Sequence, residues 1–151
     1  MALVVLALDQ ISKYWVRTCI PEGQSVALVP GLLYLTRVRN YGAAFGILNY
    51  QTGLFVLIGL AVLTGLGLAL AGFARQRQPL LSLALALAWG GAAGNLVDRL
   101  YLGYVVDFLD LRFWPVFNLA DVALVAGMIL LGWQVVRQTS EEEQVRHGDR
   151  Q

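Results

Sequence analysis

Three ionisable side chains stand inside long apolar stretches of this 151-residue chain: Asp9, Lys13 and Asp121. A charge in such surroundings is costly, so it is either paired or put to ion, proton or substrate chemistry. Asp9 and Lys13 are spaced i, i+4 with the acid first, a favourable pair on one helix face. Mutual neutralisation that pins the first helix to its neighbours is the simpler reading of that pair. Asp121 has no such local partner, and Asn118 at i−3 is its one polar neighbour by helix geometry. A carboxylate placed there has a raised pKa or meets a polar group from another segment.

Three further acids precede it: Asp98, Asp107 and Asp110. Asp98 adjoins Arg99, Asp110 has Arg112 close by, and Asp107 is flanked by Val105-Val106 and Phe108-Leu109. Two carboxylates that share one proton need to be brought together in a partly dry site. Asp107 with Asp121 fits that need best, Asp98 with Asp121 is the alternative, and spacing alone leaves the choice open.

Other chemistries fail on inventory. His147, the single histidine, lies in a polar tail, and Cys19 is the single cysteine. That excludes Ser-His-Asp and Cys-His arrangements, a zinc set and an HExxH motif. A Ser-Lys dyad would need Lys13, the sole lysine; Ser12 points to another helix face and Ser25 is remote. Carboxylates remain, with no metal and no cofactor expected. A formal net charge of +1 without a basic stripe argues against nucleic acid as a partner.

The elements that hold these residues belong to a membrane protein. Apolar residues make up 58% of the chain and charged ones 14%, against roughly 45–50% and 25% in soluble domains. Residues 53–74 and 79–97 carry no charge, and 114–136 is interrupted only by Asn118, Asp121 and Gln134. Each can cross a hydrocarbon core of about 30 Å. Residues 1–16 form a shorter first span that starts at or before Met1, with a few native N-terminal residues expected to be missing. The expected architecture is an all-α membrane protein with four transmembrane helices and a single domain over residues 1–136.

Arg75-Gln76-Arg77-Gln78 closes a tight hairpin, and residues 137–151 read as a solvated, disordered polar tail. The loops on the opposite side run over 18–52 and 98–113. Five arginines fall on each side, so positive-inside counting favours neither. Leu33-Tyr-Leu-Thr-Arg-Val-Arg-Asn40 in the first loop suggests a short strand pair. Gly90-Gly91-Ala-Ala-Gly94 lets another helix approach closely, and Asn95 ends that small-residue face. Gly42 permits positive φ, and Asn40 offers both a donor and an acceptor.

Five segments together carry a resemblance: Asp9-Gln-x-x-Lys13, Asn40-x-Gly-Ala-Ala-Phe45, Gly90-Gly-Ala-x-Gly-Asn-Leu-x-Asp-Arg99, Val105-Val-Asp-Phe108 and Phe117-Asn-Leu-Ala-Asp121. The chain resembles lipoprotein signal peptidase (signal peptidase II), a bacterial inner-membrane aspartyl peptidase. The resemblance implies Asp107 and Asp121 as the catalytic pair. It implies that Asn40, Gly42, Asn95, Arg99 and Asn118 line the site and hold the substrate backbone. Asp9, Lys13 and Asp98 match supporting positions.

It also implies cytoplasmic termini and a small extracytoplasmic β-sheet built from the first outer loop. The site would lie near the extracytoplasmic face. The substrate would be a prolipoprotein already carrying diacylglycerol on its lipobox Cys, cleaved just before that Cys, with membrane lipid around it and a monomer sufficient. The competing reading is a small four-helix proton-coupled transporter. Its substrate site would sit near the midplane between broken helices, whereas the acids here cluster at one border.

Overall fold

The computed structural model describes residues 1–42, 51–74 and 78–148. Four helices and three strands run in the order α1 (Ala2–Cys19), β1 (Ser25–Val29), β2 (Leu33–Asn40), α2 (Thr52–Ala74), α3 (Pro79–Leu102), β3 (Val105–Asp110) and α4 (Leu119–Gly148). The hairpin arginines Arg75 and Arg77 and the Ala43–Phe45 part of the loop motif lie outside the described residues.

Among the described residues three helices are long and apolar enough to cross a membrane, over 52–73, 79–102 and 119–137. The first helix, with Asp9, Lys13 and Arg17 in its 18 residues, is not in that set. Its surface is nonetheless inverted relative to a soluble helix. Asp9, Lys13 and Val16 are buried, whereas Leu3, Ile11 and Tyr14 face outward. α2 and α4 likewise turn Leu57, Ile129 and Trp133 outward. Large apolar side chains spread over whole helices mark a surface suited to lipid.

α3 is the central helix, packed against α1, α2 and α4. Pro79 starts it at a position where the missing N–H is no loss. Its glycines make the packing possible. A Cβ on Gly90 would lie 2.7 Å from the Ala2 carbonyl oxygen, and one on Gly91 would overlap the Ala120 carbonyl oxygen. Gly127 of α4 returns the contact, its would-be Cβ 2.6 Å from the Ala84 carbonyl oxygen. The small-residue face of α3 therefore takes a helix on each side, as its sequence suggested.

The strands form one antiparallel sheet in the order β1-β2-β3. The expected pair from the first outer loop is there, but a third strand joins it from the second. Gly103, at φ 79°, makes that possible: its left-handed conformation ends α3 and turns the chain directly into β3. Val16 from α1, Ile20 just past its end, Leu35 from β2 and Phe108 from β3 form a small apolar core. The Arg37 guanidinium donates to the carbonyl oxygens of Arg17 (2.9 Å) and Ile20 (3.2 Å), fastening β2 over the end of α1.

Three element boundaries differ from the sequence reading. α3 runs to Leu102 rather than 97, so Asp98 and Arg99 are helical. α4 starts at Leu119 rather than 114, because Trp114 precedes Pro115 and is steered away from helix. Asp121 is therefore in the first turn of α4, not two turns inside the span. The far end of α4 continues to Gly148 in place of the expected disordered tail. Residues 137–147 hold neither Pro nor Gly and are rich in Glu, Gln and Arg, which are good helix formers.

Candidate active site

Two carboxylate clusters meet where α1, α3, β3 and α4 converge. The first surrounds Lys13, whose side chain is fully buried. Its ammonium lies 2.8 Å from Asp9 Oδ2, 3.1 Å from Asp98 Oδ2 and 3.0 Å from Asn95 Oδ1. The i, i+4 pairing of Asp9 with Lys13 is thus present, but Asp98 pairs with Lys13 rather than with adjacent Arg99. Each acid also grips backbone of another element. Asp9 Oδ1 accepts the Ala120 N–H at 3.0 Å, inside the first turn of α4, and Asp98 Oδ2 accepts the Val106 N–H at 2.9 Å, at the start of β3. The ion cluster thereby ties α1 and α3 to the two elements that carry Asp107 and Asp121.

Gln10 is the participant that sequence reasoning missed. Its amide donates to Asp9 Oδ2 at 3.2 Å and to both the Gly94 carbonyl oxygen and Asp98 Oδ1 at 3.1 Å. Its position between Asp9 and Lys13, on an otherwise apolar helix, was the available signal.

The second cluster is Asp107 with Asp121, joined through Asn118. Phe117 pairs with Leu109 of β3, its N–H donating at 3.1 Å and its carbonyl oxygen accepting at 2.7 Å. That pairing lays Asn118 beside Asp107 just before α4 begins. Asn118 then caps the helix: its Oδ1 accepts the Asp121 N–H at 2.9 Å, and its own N–H donates to Asp121 Oδ2 at 3.1 Å. This reciprocal capping box fixes the Asp121 rotamer. The Asn118 Nδ2 meanwhile donates to Asp107 Oδ1 at 2.6 Å. One fully buried asparagine thus holds both acids.

The remaining donors are carboxamides too. Asn40 Nδ2 donates to Asp107 Oδ2 at 2.9 Å, reaching across from β2, and Asn95 Nδ2 donates to Asp121 Oδ1 at 2.7 Å. Asp121 is therefore hydrogen-bonded from α3, the partner from another segment that its setting required. Among the described residues no cation lies within ion-pair distance of either carboxylate. Burial pushes Asp107 up to about 7, with the charge of Asp121 adding to the rise and the Asn40 and Asn118 amides opposing it. One acid of the pair is thus poised to hold a proton near neutral pH.

Arg99 stands at the rim. Its guanidinium stacks on the Phe55 ring, 5.0 Å from the centroid, and donates to the carbonyl oxygens of Asn95 (3.3 Å) and Gly42 (3.4 Å). Gly42 also donates its N–H to Asn40 Oδ1 at 3.0 Å, so its backbone is held between Asn40 and Arg99. Asp9, Lys13, Asn40, Gly42, Asn95, Asp98, Arg99, Asp107, Asn118 and Asp121 each fall in one of the two clusters or on this rim. Asp110, the remaining acid of the group, is apart, bonded to Thr36 Oγ1 at 2.7 Å with Arg112 3.6 Å away.

Asp121 also borders an almost wholly apolar cavity of about 500 Å³, lined by Leu111, Phe113, Trp114, Phe117 and, along α4, Val125 and Ile129. Among the described residues no group of three His, Cys, Asp or Glu side chains is arranged to hold a metal ion. The chemistry this arrangement can perform is proton transfer between two acids of unequal burial, beside an apolar groove.

A family profile described as Signal peptidase (SPase) II matches residues 1–137. The chain belongs to the signal peptidase II family. It is 51% identical over 143 residues to a lipoprotein signal peptidase of Moorella thermoacetica, covering 94% of both chains. A lipoprotein signal peptidase of Pelotomaculum thermopropionicum is 46% identical over 140 residues, covering 91% of this chain and 90% of its own. A solved bacterial membrane enzyme, determined by the in meso method at 2.3 Å, superposes with a TM-score of 0.84 at 35% identity. That match covers 93% of this chain and 87% of the other. Signal peptidase II enzymes are peptidases of the aspartic type, and the chain is a membrane-embedded member of that group. The transporter reading finds no support among these relatives.

Proposed function

We propose that this signal peptidase II removes the signal peptide from diacylglyceryl-modified prolipoproteins by cleaving just before the lipidated Cys, with Asp107 and Asp121 as the catalytic pair. The observation that carries the assignment is the Asn118 bridge: it holds two carboxylates together, both served by amides and neither, among the described residues, in an ion pair with a cation. Asp98, the alternative partner for Asp121, is already neutralised by Lys13 at 3.1 Å.

Asp121, in the first turn of α4 and half-buried, is the ionised member. The helix N-terminus favours its negative charge. It takes a proton from a water molecule, whose oxygen attacks the scissile carbonyl. Asp107, buried and protonated, donates a hydrogen bond to the oxygen that becomes negative. As the tetrahedral intermediate collapses, the C–N bond breaks and a proton passes from the pair to the leaving amine. Asn40, Gly42 and Arg99 line the rim where the substrate backbone would lie, and the apolar groove beside Asp121 suits the lipid or signal segment.

Residues 1–136 form one integral membrane peptidase domain. In that reading α1 is a fourth span, its buried charges neutralised within the protein and its apolar faces turned to lipid. Both termini are cytoplasmic and the site lies near the extracytoplasmic face of the bacterial inner membrane. One chain supplies the whole pair, so a monomer is sufficient, surrounded by membrane lipid.

The test uses the purified enzyme and a diacylated prolipoprotein peptide, with the products read by mass. Cleavage immediately before the modified Cys is expected, and no cleavage of the same peptide without its lipid. Efficient turnover of the Asp107→Asn enzyme, with loss in Asp98→Asn, would reverse the assignment of the pair.

A further inference from the structure

We propose that Asn95 is a positioning residue that assigns the two roles in the acid pair. Oriented by the Lys13 ammonium, its amide N–H holds Asp121 as the ionised, water-activating carboxylate and leaves the proton on Asp107. The inference rests on the reading of Asp107 and Asp121 as the reacting pair.

An amide can face a neighbour with its oxygen or its nitrogen, and the two ends have opposite effects on a carboxylate. At Asn95 the choice is made by Lys13. An ammonium has three donors and no acceptor. Two of its donors go to Asp9 and Asp98, and the third reaches Asn95 at 3.0 Å. The atom of Asn95 facing Lys13 must therefore be its oxygen. The same oxygen accepts from Asn118 Nδ2 at 3.0 Å, a second donor that forbids the flipped amide. With the oxygen held from two sides, the Asn95 Nδ2 is directed at Asp121 Oδ1, 2.7 Å away.

The consequence is an asymmetry within the pair. A donor fixed on a carboxylate favours its charged form, and one polarised by a cation at its far end does so more strongly. The groups facing Asp121 from each packed element are Lys13 and Asp9 of α1, Asp98 and Arg99 of α3, and Asp107 of β3. Asp9 and Asp98 are spent on Lys13, and Arg99, whose charge reaches both Asp107 and Asp121, donates its hydrogen bonds to the carbonyl oxygens of Asn95 and Gly42. Among the described residues, the hydrogen-bonded relay from a cation to the Asp121 carboxylate is thus the one through the Asn95 side chain. Asp107, at 2% exposure, is the member left to carry the proton. The amide of Asn95 is fully committed on its oxygen side, so its part is to hold Asp121 rather than the substrate backbone.

The experiment is the pH profile of kcat/KM on the lipidated peptide, for the full-length enzyme and for Asn95→Ala and Asn95→Ser, with a thermal melt of each. Loss of the donor should move the acid limb upward by about one pH unit in Asn95→Ala, and by less in Asn95→Ser. Activity at the acid end then falls about tenfold while the melting temperature stays close to that of the parent. An acid limb that does not move overturns the inference, and so does a rate scaled down equally at every pH. Should Asn95→Ala fail to fold, Asn95→Ser carries the same comparison. Asp107→Asn and Asp121→Asn run alongside: cleavage retained in either removes the pair itself, a failure separate from a stationary acid limb in an otherwise intact pair.

Discussion

The Lys13 cluster and the Asp107–Asp121 pair each contain two aspartates, lie within one asparagine of each other, and are built on opposite plans. In the first, one ammonium sits 2.8 and 3.1 Å from two acids, which share it as their counter-charge. In the second, Asn40, Asn95, Asn118 and a backbone N–H supply the hydrogen bonds, and among the described residues no cation lies within ion-pair distance. A cluster closed on a buried ammonium serves as a clamp. Amide donors orient a carboxylate without cancelling its charge, so the pair can divide one proton between two inequivalent oxygens. Asn95 touches both clusters and is where the clamp can influence the chemistry.

The largest effect expected from breaking this contrast is on rate. Asp107→Asn or Asp121→Asn keeps the shape and removes the proton traffic, so kcat/KM should fall by about 10³-fold or more. Thermal melting should show little loss of stability in either. The clamp should behave in the opposite way. Lys13→Met leaves Asp9 and Asp98 buried without their cation, which costs about 3–5 kcal/mol of stability. Denaturation in detergent would show it, and a Lys13→Met enzyme as stable as its parent would mean the clamp is not a clamp.

Gly94 gives a smaller and steric test of the same region. A Cβ there would run into the Asp9 carboxylate and lie 3.2 Å from Ala120 Cβ. Gly94→Ala should therefore destabilise by about 1–3 kcal/mol, as overpacking does. A matched Gly132→Ala, where nothing stands within 4 Å of the added Cβ, should be neutral or slightly stabilising. The difference between the two melting temperatures measures how tightly the clamp closes α1 onto α3.

Much of this contrast can be read from residue types, and the unread part has a physical cause. The i, i+4 spacing makes the Asp9–Lys13 pair legible, because both ends lie on one helix. The β2 run and the small-residue face of α3 are legible for the same reason: their signals are local. Asp98 misleads, since Arg99 is adjacent in sequence but points to the rim, while the actual partner lies 85 positions earlier on another helix. The start of α4 misleads because apolar composition continues from Trp114 through Phe117. Those residues are used for pairing with β3, a long-range event that composition does not record. The motifs name Asp107 and Asp121; the bridge that joins them depends on where Asn118 falls at a helix start.

The smallest expected effect concerns stability and its direction with pH. Asp107 is raised in the folded protein from an ordinary value of 3.8 to about 7 by burial and by Asp121. Between those two values the folded state binds more protons at this position than the unfolded chain does. Stability therefore decreases as pH rises through that window, the reverse of the behaviour of a salt-bridged aspartate. Asp107→Asn removes the titration and should flatten this part of the curve. The variant should gain on its parent by on the order of 1–2 kcal/mol above pH 7, with no gain near pH 4. Melting both proteins across that range gives the answer directly. Parallel curves would mean that Asp107 is charged in the folded enzyme at low pH, and that the pair is closer in kind to the clamp than its hydrogen bonds indicate.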